Sequence, residues 1–407
     1  MDAQQAIEMR KEYLLPCLNH FYKNPPLFVK GEMQYLYDSN GKKYLDFFSG
    51  VSVMNCGYSN PYIVDKIIEQ IKTLQYLTNI YITEPIVNLA EKLANILPDE
   101  LNSSFFCASG SEANEGAMLL ARLYTNKKKF IALENGLHGR TNLTMAATHI
   151  PMWRTDPFLP DDFYMIPNSS QQEESLKQLE QVLSNDDDIC AFICEPIQGN
   201  GGIITPSDNY FTEVCKLLKQ YGVLLIVDEI QTGFGRTGKM FAIEHYGVVP
   251  DIMTVSKAFG NGTPLAAFST TKDIAKAFVK PSASTLGGNP VSCTAGMAVI
   301  DYINNNELVQ KAKEYGEILH GELMALSKNH SCIKQIRGKG LMLGAEICDK
   351  NGNPDPTKVD EILENLKDRG IILGKNGLDR NVLAFQPPLV INKGDISFLI
   401  DNLGEVL

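Results

Sequence analysis

Two stretches decide how this chain is built: Val223-Leu-Leu-Ile-Val-Asp-Glu-Ile-Gln231 and, a little further on, Asp251-Ile-Met-Thr-Val-Ser-Lys257. Each is a short apolar, β-branched run that closes on a charged residue, Asp228 in one and Lys257 in the other. Runs of this length and composition read as strands. Phe105–Ser109, Lys128–Glu134 and Ile189–Glu195 have the same character. The segments between them, Glu115–Tyr124 and Tyr210–Tyr221 among them, carry apolar residues at helical spacing. Strand-like and helical stretches in alternation predict an α/β domain with a mostly parallel sheet flanked by helices.

The two ends read differently. Leu27–Gly31 and Gln34–Asp38 predict a hairpin about a Gly31-Glu32 turn, and Asp38–Phe47 continues it. From about Asn304 the pattern gives a long helix, strands between Lys334 and Ile347, and a further helix from Thr357. We therefore expect a large domain over residues 51–303 and a smaller α+β domain assembled from residues 1–50 and 304–407.

Composition removes several function classes. The chain has 407 residues, 37 basic against 48 acidic side chains and a net charge of −11, with no basic cluster, so neither nucleic acid nor an anionic membrane is expected as a partner. Its nine cysteines are scattered and contain no Cys-x-x-Cys pair, which fits a reducing compartment and argues against a disulfide framework or a zinc site. The first residues lack the basic and apolar regions of a secretory signal, and no apolar run is long enough to span a bilayer. A cytoplasmic protein is the expectation.

In an open parallel sheet, ligands sit beyond the carboxyl ends of the strands, so the residues that close successive apolar runs are the candidates for chemistry. Ser109-Gly110-Ser111 follows a strand and opens a helix, where free N–H groups and a hydroxyl can face a phosphate. Asp228 emerges from an apolar strand and needs a cationic or hydrogen-bonding partner. Lys257, at the end of the next strand, can lose its proton on burial and act as an amine nucleophile. A plain Asp–Lys ion pair accounts for two of these residues and leaves the phosphate turn without a role. Pyridoxal 5′-phosphate (PLP) meets all three demands: one phosphate, one aldehyde that takes a lysine amine, and a pyridine nitrogen that an Asp carboxylate keeps protonated.

The order of motifs makes a resemblance specific. Ser109–Asn114 (SGSEAN), His138–Thr141 (HGRT), Glu195–Gly199 (EPIQG), Asp228–Gly238 (DEIQTGFGRTG), the lysine after Pro250–Ser256 and Ser284–Pro290 (STLGGNP) together resemble the class III, or ω-amino-acid, aminotransferases of PLP fold type I. The likeness runs from about Phe28 to about Ile391. It implies a Schiff base between PLP and Lys257, with Asp228 at the ring nitrogen and both as catalytic residues. It places Gly110 and Ser111 at the phosphate, joined by Thr285 of a second subunit, so that a homodimer with shared active sites is expected. It sets Ile230 under the ring, Gln231 near the ring oxygen, and Leu137, His138 and Glu195 around the cofactor pocket. Val51, Tyr81 and Arg140 fall at substrate-binding positions. The implied reaction is ping-pong transfer of an amino group from an amine donor to a 2-oxo acid such as pyruvate, glyoxylate or 2-oxoglutarate, with Lys257 carrying the proton.

This sequence departs from the family pattern at informative places. Leu137 stands where an aromatic residue usually stacks on the cofactor. Asn200 replaces a gating glutamate, and Ala384 replaces the arginine with which that glutamate pairs and which holds an α-carboxylate. Loss of both partners is coherent, since either charge alone is left uncompensated. Arg140 is retained and suits two-pronged carboxylate binding. Lys375 or Arg380, near Ala384 in sequence, could supply the missing charge. The departures favour a donor whose amine is remote from any carboxylate, or a simple primary amine. Two other functions fit the same residues less well: a racemase or aminomutase that keeps Lys257 and Asp228, and a non-enzymatic protein on the same scaffold.

Overall fold

The computed structural model describes all 407 residues. At its centre is a sheet of seven strands. In chain order these are β4 (Ser103–Cys107), β5 (Lys129–Leu133), β6 (Phe163–Ile166), β7 (Ile189–Cys194), β8 (Leu224–Asp228), β9 (Ile252–Val255) and β10 (Ala266–Thr270), after three N-terminal strands β1 (Phe28–Glu32), β2 (Tyr35–Asp38) and β3 (Lys43–Asp46). The spatial order is β4-β10-β9-β8-β7-β5-β6. Only β10 runs against its neighbours; the other six are parallel. β6 and β10 were not evident from the apolar runs. Phe163–Ile166 is too short to stand out, and Ala266-Ala-Phe-Ser-Thr270 carries only one large apolar residue.

Alternation along the strands sends side chains into two separate cores, the expected consequence of a period of two. Phe192, Leu225, Val227 and Met253 join one cluster with Tyr210, Phe211, Val214 and Leu218 of the helix Tyr210–Tyr221. Ala191, Ile193, Leu224, Ile226 and Ile252 join the other with Ala117, Met118 and Leu120 of the helix Gly110–Thr125. With both faces covered, β7 and β8 are buried along their full length. The carboxyl ends of β4, β9, β8, β7 and β5 share one edge, and this edge carries the candidate residues.

The hairpin forms, but its turn lies later than Gly31-Glu32. Glu32 pairs with Tyr35, so Met33 and Gln34 make the bend, and Met33 takes a left-handed φ of 51°. Gly31 answers a different need: a Cβ there comes within 2.7 Å of Tyr58 Cβ, so the glycine lets Tyr58 pack on the strand.

Beyond the large sheet lie β11 (Ile333–Lys339), β12 (Met342–Ile347), β13 (Ile371–Ile372), β14 (Gly374–Asn376) and β15 (Val382–Phe385). β13 runs parallel to β3 and completes a four-stranded sheet of order β1-β2-β3-β13, so the two ends of the chain share one sheet. The remaining strands form a sheet of order β11-β12-β15-β14. No helix is long and apolar enough to cross a membrane.

Candidate active site

Asp228, the last residue of β8, is buried at 3% exposure and can remain so because donors surround it. Its Oδ2 accepts a hydrogen bond from Asn114 Nδ2 at 2.7 Å and lies 2.8 Å from His138 Nδ1; its Oδ1 accepts the Ile230 N–H at 3.0 Å. Asn114 in turn donates to the His138 carbonyl at 2.7 Å and accepts the Thr254 hydroxyl of β9 at 2.7 Å. One amide thus ties the helix Gly110–Thr125, the loop after β5, and the ends of β8 and β9 together. The His138 ring is enclosed, and although burial works against its charge, the hydrogen bond and charge of Asp228 raise its pKa above the ordinary histidine value. Its Nε2 has no partner within the chain.

Lys257 follows β9 on a short turn and takes a left-handed φ of 45°, a conformation that costs an L-residue roughly 1–2 kcal/mol. The neighbouring Ser256 hydroxyl is anchored on the Leu265 carbonyl at 3.1 Å. Lys257 forms no ion pair, since Asp228 is engaged by His138 and Asn114. The plain Asp–Lys pair is therefore not what is built here. Burial lowers the lysine pKa below its ordinary value, opposed by the charges of Asp228 and Glu195. The chain thus holds a half-buried amine that gives up its proton more readily than an ordinary lysine, within the field of the buried Asp228.

The remaining candidates assemble around these two. A Cβ on Gly110 would lie 2.8 Å from Ile230 Cδ1, so only glycine lets Ile230 lie against the helix start. Ser111 Oγ accepts the Arg140 N–H at 3.0 Å, which brings the phosphate-type turn and the HGRT loop together; the Arg140 side chain itself is exposed. Glu195 Oε1 accepts the Leu137 N–H at 2.9 Å and its Oε2 the Gly199 N–H at 3.0 Å. It bridges two loops, and burial pushes it up to about 7, against the pull of His138. Gln231 lies over Gly199 and donates from Nε2 to Gln386 Oε1 at 3.3 Å.

Val51 belongs to the most strained segment of the chain. Ser49, Gly50, Val51 and Ser52 have successive φ values of 47°, 61°, 67° and 58°, a left-handed turn that is a genuine outlier for a β-branched residue. Val51 packs against a small apolar cluster of Phe48, Ile197, Ile203, Met342 and Ala384. Ala384 is fully buried in β15, and its partners on either side are glycines, Gly344 of β12 and Gly374 of β14. Lys375 pairs with Leu383, which sends its side chain to the opposite face from Ala384, and its ammonium pairs with Asp360. Arg380 lies over the Phe21 ring at 5.4 Å. Neither basic residue supplies a charge at position 384. Tyr81 and Thr285 stand apart from the cluster: Tyr81 is 60% exposed, and Thr285 is exposed with its carbonyl accepting the Tyr76 hydroxyl at 2.8 Å.

Asn114, Arg236 and Gln386 are structural partners that sequence reasoning passed over. Asn114 lay in a quoted motif, and its signal was a polar residue on an otherwise apolar helix face. Gln386, two residues after Ala384, had only its position in the altered segment to mark it.

The family model for aminotransferase class-III matches residues 19–407. The chain belongs to this family. An Arabidopsis thaliana protein named alanine–glyoxylate aminotransferase 2 homolog 2, mitochondrial, is 39% identical over 98% of this chain and 87% of its own length. An acetylornithine aminotransferase of Methanocaldococcus jannaschii is 37% identical over 100% and 98%. Among solved structures, a Bacillus anthracis aminotransferase superposes with a TM-score of 0.92 at 32% identity, covering 100% of this chain and 99% of that one. The fold is PLP fold type I and the protein is a PLP-dependent aminotransferase. Its residues fit that cofactor: a buried carboxylate, an unpaired amine of lowered pKa, and a strand-to-helix turn that is free to take an anion.

Glu229 adds a third buried carboxyl. It accepts the Ile243 N–H at 2.7 Å on Oε1 and the Thr232 hydroxyl on Oε2, and burial raises it from 4.5 to about 7. The folded protein therefore holds this proton to higher pH than the unfolded chain does. The contribution is present in full below the ordinary glutamate range and is lost as pH rises through about 7. Glu229→Gln keeps an acceptor and removes the titration. Urea unfolding should show the variant gaining on the wild type by up to about 3 kcal/mol between roughly pH 5 and pH 8. A difference independent of pH sinks the assignment.

Proposed function

We propose that the protein moves the amino group of an ω-amino acid or primary amine to a small 2-oxo acid, with pyruvate and glyoxylate competing well against 2-oxoglutarate. The carrying observation is Ala384, an apolar residue packed with Phe48, Ile197, Ile203 and Met342, with Lys375 held by Asp360 on the opposite face and Arg337, its neighbour across Gly344, held by Glu346. An acceptor with two carboxylates has one anchor fewer at such a wall. The Arabidopsis relative bears glyoxylate, a small oxo acid, in its name beside the α-amino acid alanine, and the archaeal one bears acetylornithine, whose free amine is remote from its carboxylate.

When bound, PLP supplies an aldehyde that condenses with amines and a ring that withdraws electrons from the amine-bearing carbon. In this reading, Lys257 Nζ moves the proton, a task for which its lowered pKa suits it. Asp228 would serve the ring nitrogen, and Asn114 and His138 hold its carboxylate in place. Gly110 and Ser111 would hold the phosphate through N–H groups and a hydroxyl. Ile230 and Leu137 would pack against the ring, and Gln231 would hydrogen-bond the ring oxygen. Glu195 keeps the 137 and 199 loops closed over the site. Arg140, exposed and without an ion pair, takes the carboxylate of a carboxylated donor.

The active unit is read as a homodimer working in the cytoplasm. Ile80, Tyr81 and Ile82 are 75%, 60% and 93% exposed, and Tyr76 ties this segment to Thr285. Such an apolar ridge suits a second copy, which brings Tyr81 and Thr285 to the partner's site. Sedimentation should find a dimer; a fully active monomer overturns this part.

Borohydride should fix PLP to Lys257 in the wild type, seen by peptide mass spectrometry, and Lys257→Ala should lose both the adduct and turnover. Asp228→Ala should retain its far-ultraviolet circular dichroism and lose about 100-fold in rate, the equivalent of about 3 kcal/mol. Normal transfer by either variant refutes its role. Nitrogen should pass stoichiometrically to an added 2-oxo acid; return of the amine to its own substrate indicates a racemase or aminomutase instead.

Single-turnover rates test the acceptor. Pyruvate and glyoxylate should match 2-oxoglutarate within about tenfold. A preference for 2-oxoglutarate of about 100-fold, or about 3 kcal/mol in barrier, removes the inference from Ala384.

A further inference from the structure

Arg236 is among the largest fully enclosed side chains in the protein, and it forms no ion pair. Its guanidinium spends its donors on four groups from three separate parts of the chain. Nη1 donates to the Leu341 carbonyl at 2.9 Å and to the Pro387 carbonyl at 2.6 Å; Nη2 donates to Ser49 Oγ at 3.3 Å and to Asn55 Oδ1. Nε has no partner. The carboxylate whose charge favours it, Asp46, is itself taken up by the Tyr58 hydroxyl at 2.6 Å and the Phe48 N–H at 2.7 Å. Burial lowers the arginine to about 9, opposed by Asp46. A buried cation without a close anion is costly, so what it holds in place indicates its use.

It holds the left-handed turn. Ser49 Oγ, which accepts from Arg236, donates to the Gln386 carbonyl at 2.6 Å. The Gln386 N–H donates to the Phe47 carbonyl at 2.8 Å, and the next carbonyl, Pro387, is the one that Arg236 takes. Gln386 is thus pinned on both sides of its backbone, and its side chain receives Gln231. Four successive left-handed residues persist only where their surroundings over-determine them, and the enclosed fork of Arg236 is part of those surroundings.

We propose that Arg236 is a positioning residue: its guanidinium clamps the Ser49–Ser52 turn to the Gln386–Pro387 segment, and so places Val51 on the substrate side of the site. The proposal rests on the aminotransferase reading of that site. Planar, two-pronged donation is required, so lysine does not replace it.

Two variants of the holoenzyme test this. Arg236→Lys keeps the charge and loses the fork; Ser49→Ala removes only the hydroxyl shared by the clamp and the Gln386 carbonyl, and stays informative if the first variant folds poorly. Amide hydrogen exchange over residues 48–54 and 385–389 should quicken about tenfold in each variant, with the large sheet unchanged. The KM for the amine donor should rise about tenfold while kcat stays within about threefold. Unchanged exchange overturns the clamp. Faster exchange with an unaltered donor KM, or loss of kcat at constant KM, overturns the positioning role. If the wild type transfers no amine from any donor, the aminotransferase reading fails, and the exchange data alone still decide whether the clamp exists.

Discussion

A carboxyl group buried at the carboxyl edge of a sheet is the constraint on which the rest of this site depends. Asp228 can be buried there only because hydrogen-bonding partners converge on it, and meeting that requirement draws in Asn114, His138 and the Ile230 N–H. Each donor brings its own element to a fixed place. Asn114 fixes the start of the helix that offers Gly110 and Ser111, His138 fixes the loop that carries Leu137 and Arg140, and the Thr254 hydroxyl binds the same knot to the strand before Lys257. The arrangement is pre-organised because the scaffold needs it, whatever is bound.

Around this fixed centre, the side that we propose takes the substrate is made of less regular parts. The left-handed turn, the 195–202 loop and the Ala384–Pro387 segment come from different sheets and meet through side chains such as Glu195, Gln231 and Ser49. A rigid cofactor platform with a wall of loops lets specificity change by substitution while the chemistry stays in place. Ala384 exemplifies this: the flanking glycines and Phe48 close the space with apolar contact, and no unpaired charge is left behind.

Much of this was legible in the sequence, because the strands that carry the site are largely apolar and end on chemistry. β4, β5, β7, β8 and β9 were each read from such runs, and Asp228 and Lys257 from their ends. What escaped was short or small: β6, β10 and the true turn of the first hairpin, where Gly31 serves packing and Met33 bends the chain. Arg236 and Gln386 escaped for another reason. Their importance comes from partners far away in sequence, and nothing local distinguishes a buried arginine in a glycine-rich loop from a solvated one. The fate of Lys375 and Arg380 was likewise decided by strand register and by Asp360 and Phe21, which only three dimensions bring together.

The pairing of β3 with β13 carries a consequence for the making of the protein. The first hairpin leaves the ribosome early, but the strand that finishes its sheet is encoded near the far end of the message. At about 5–20 residues per second the wait is on the order of tens of seconds, long enough for the seven-stranded sheet to form in between. During that interval β3 presents an open edge, a hazard for pairing with other nascent chains. Lys30, Glu32, Lys42 and Lys43 place charges along the β1–β3 ribbon, and such charges keep a waiting ribbon on a crowded polysome from sticking to its neighbours.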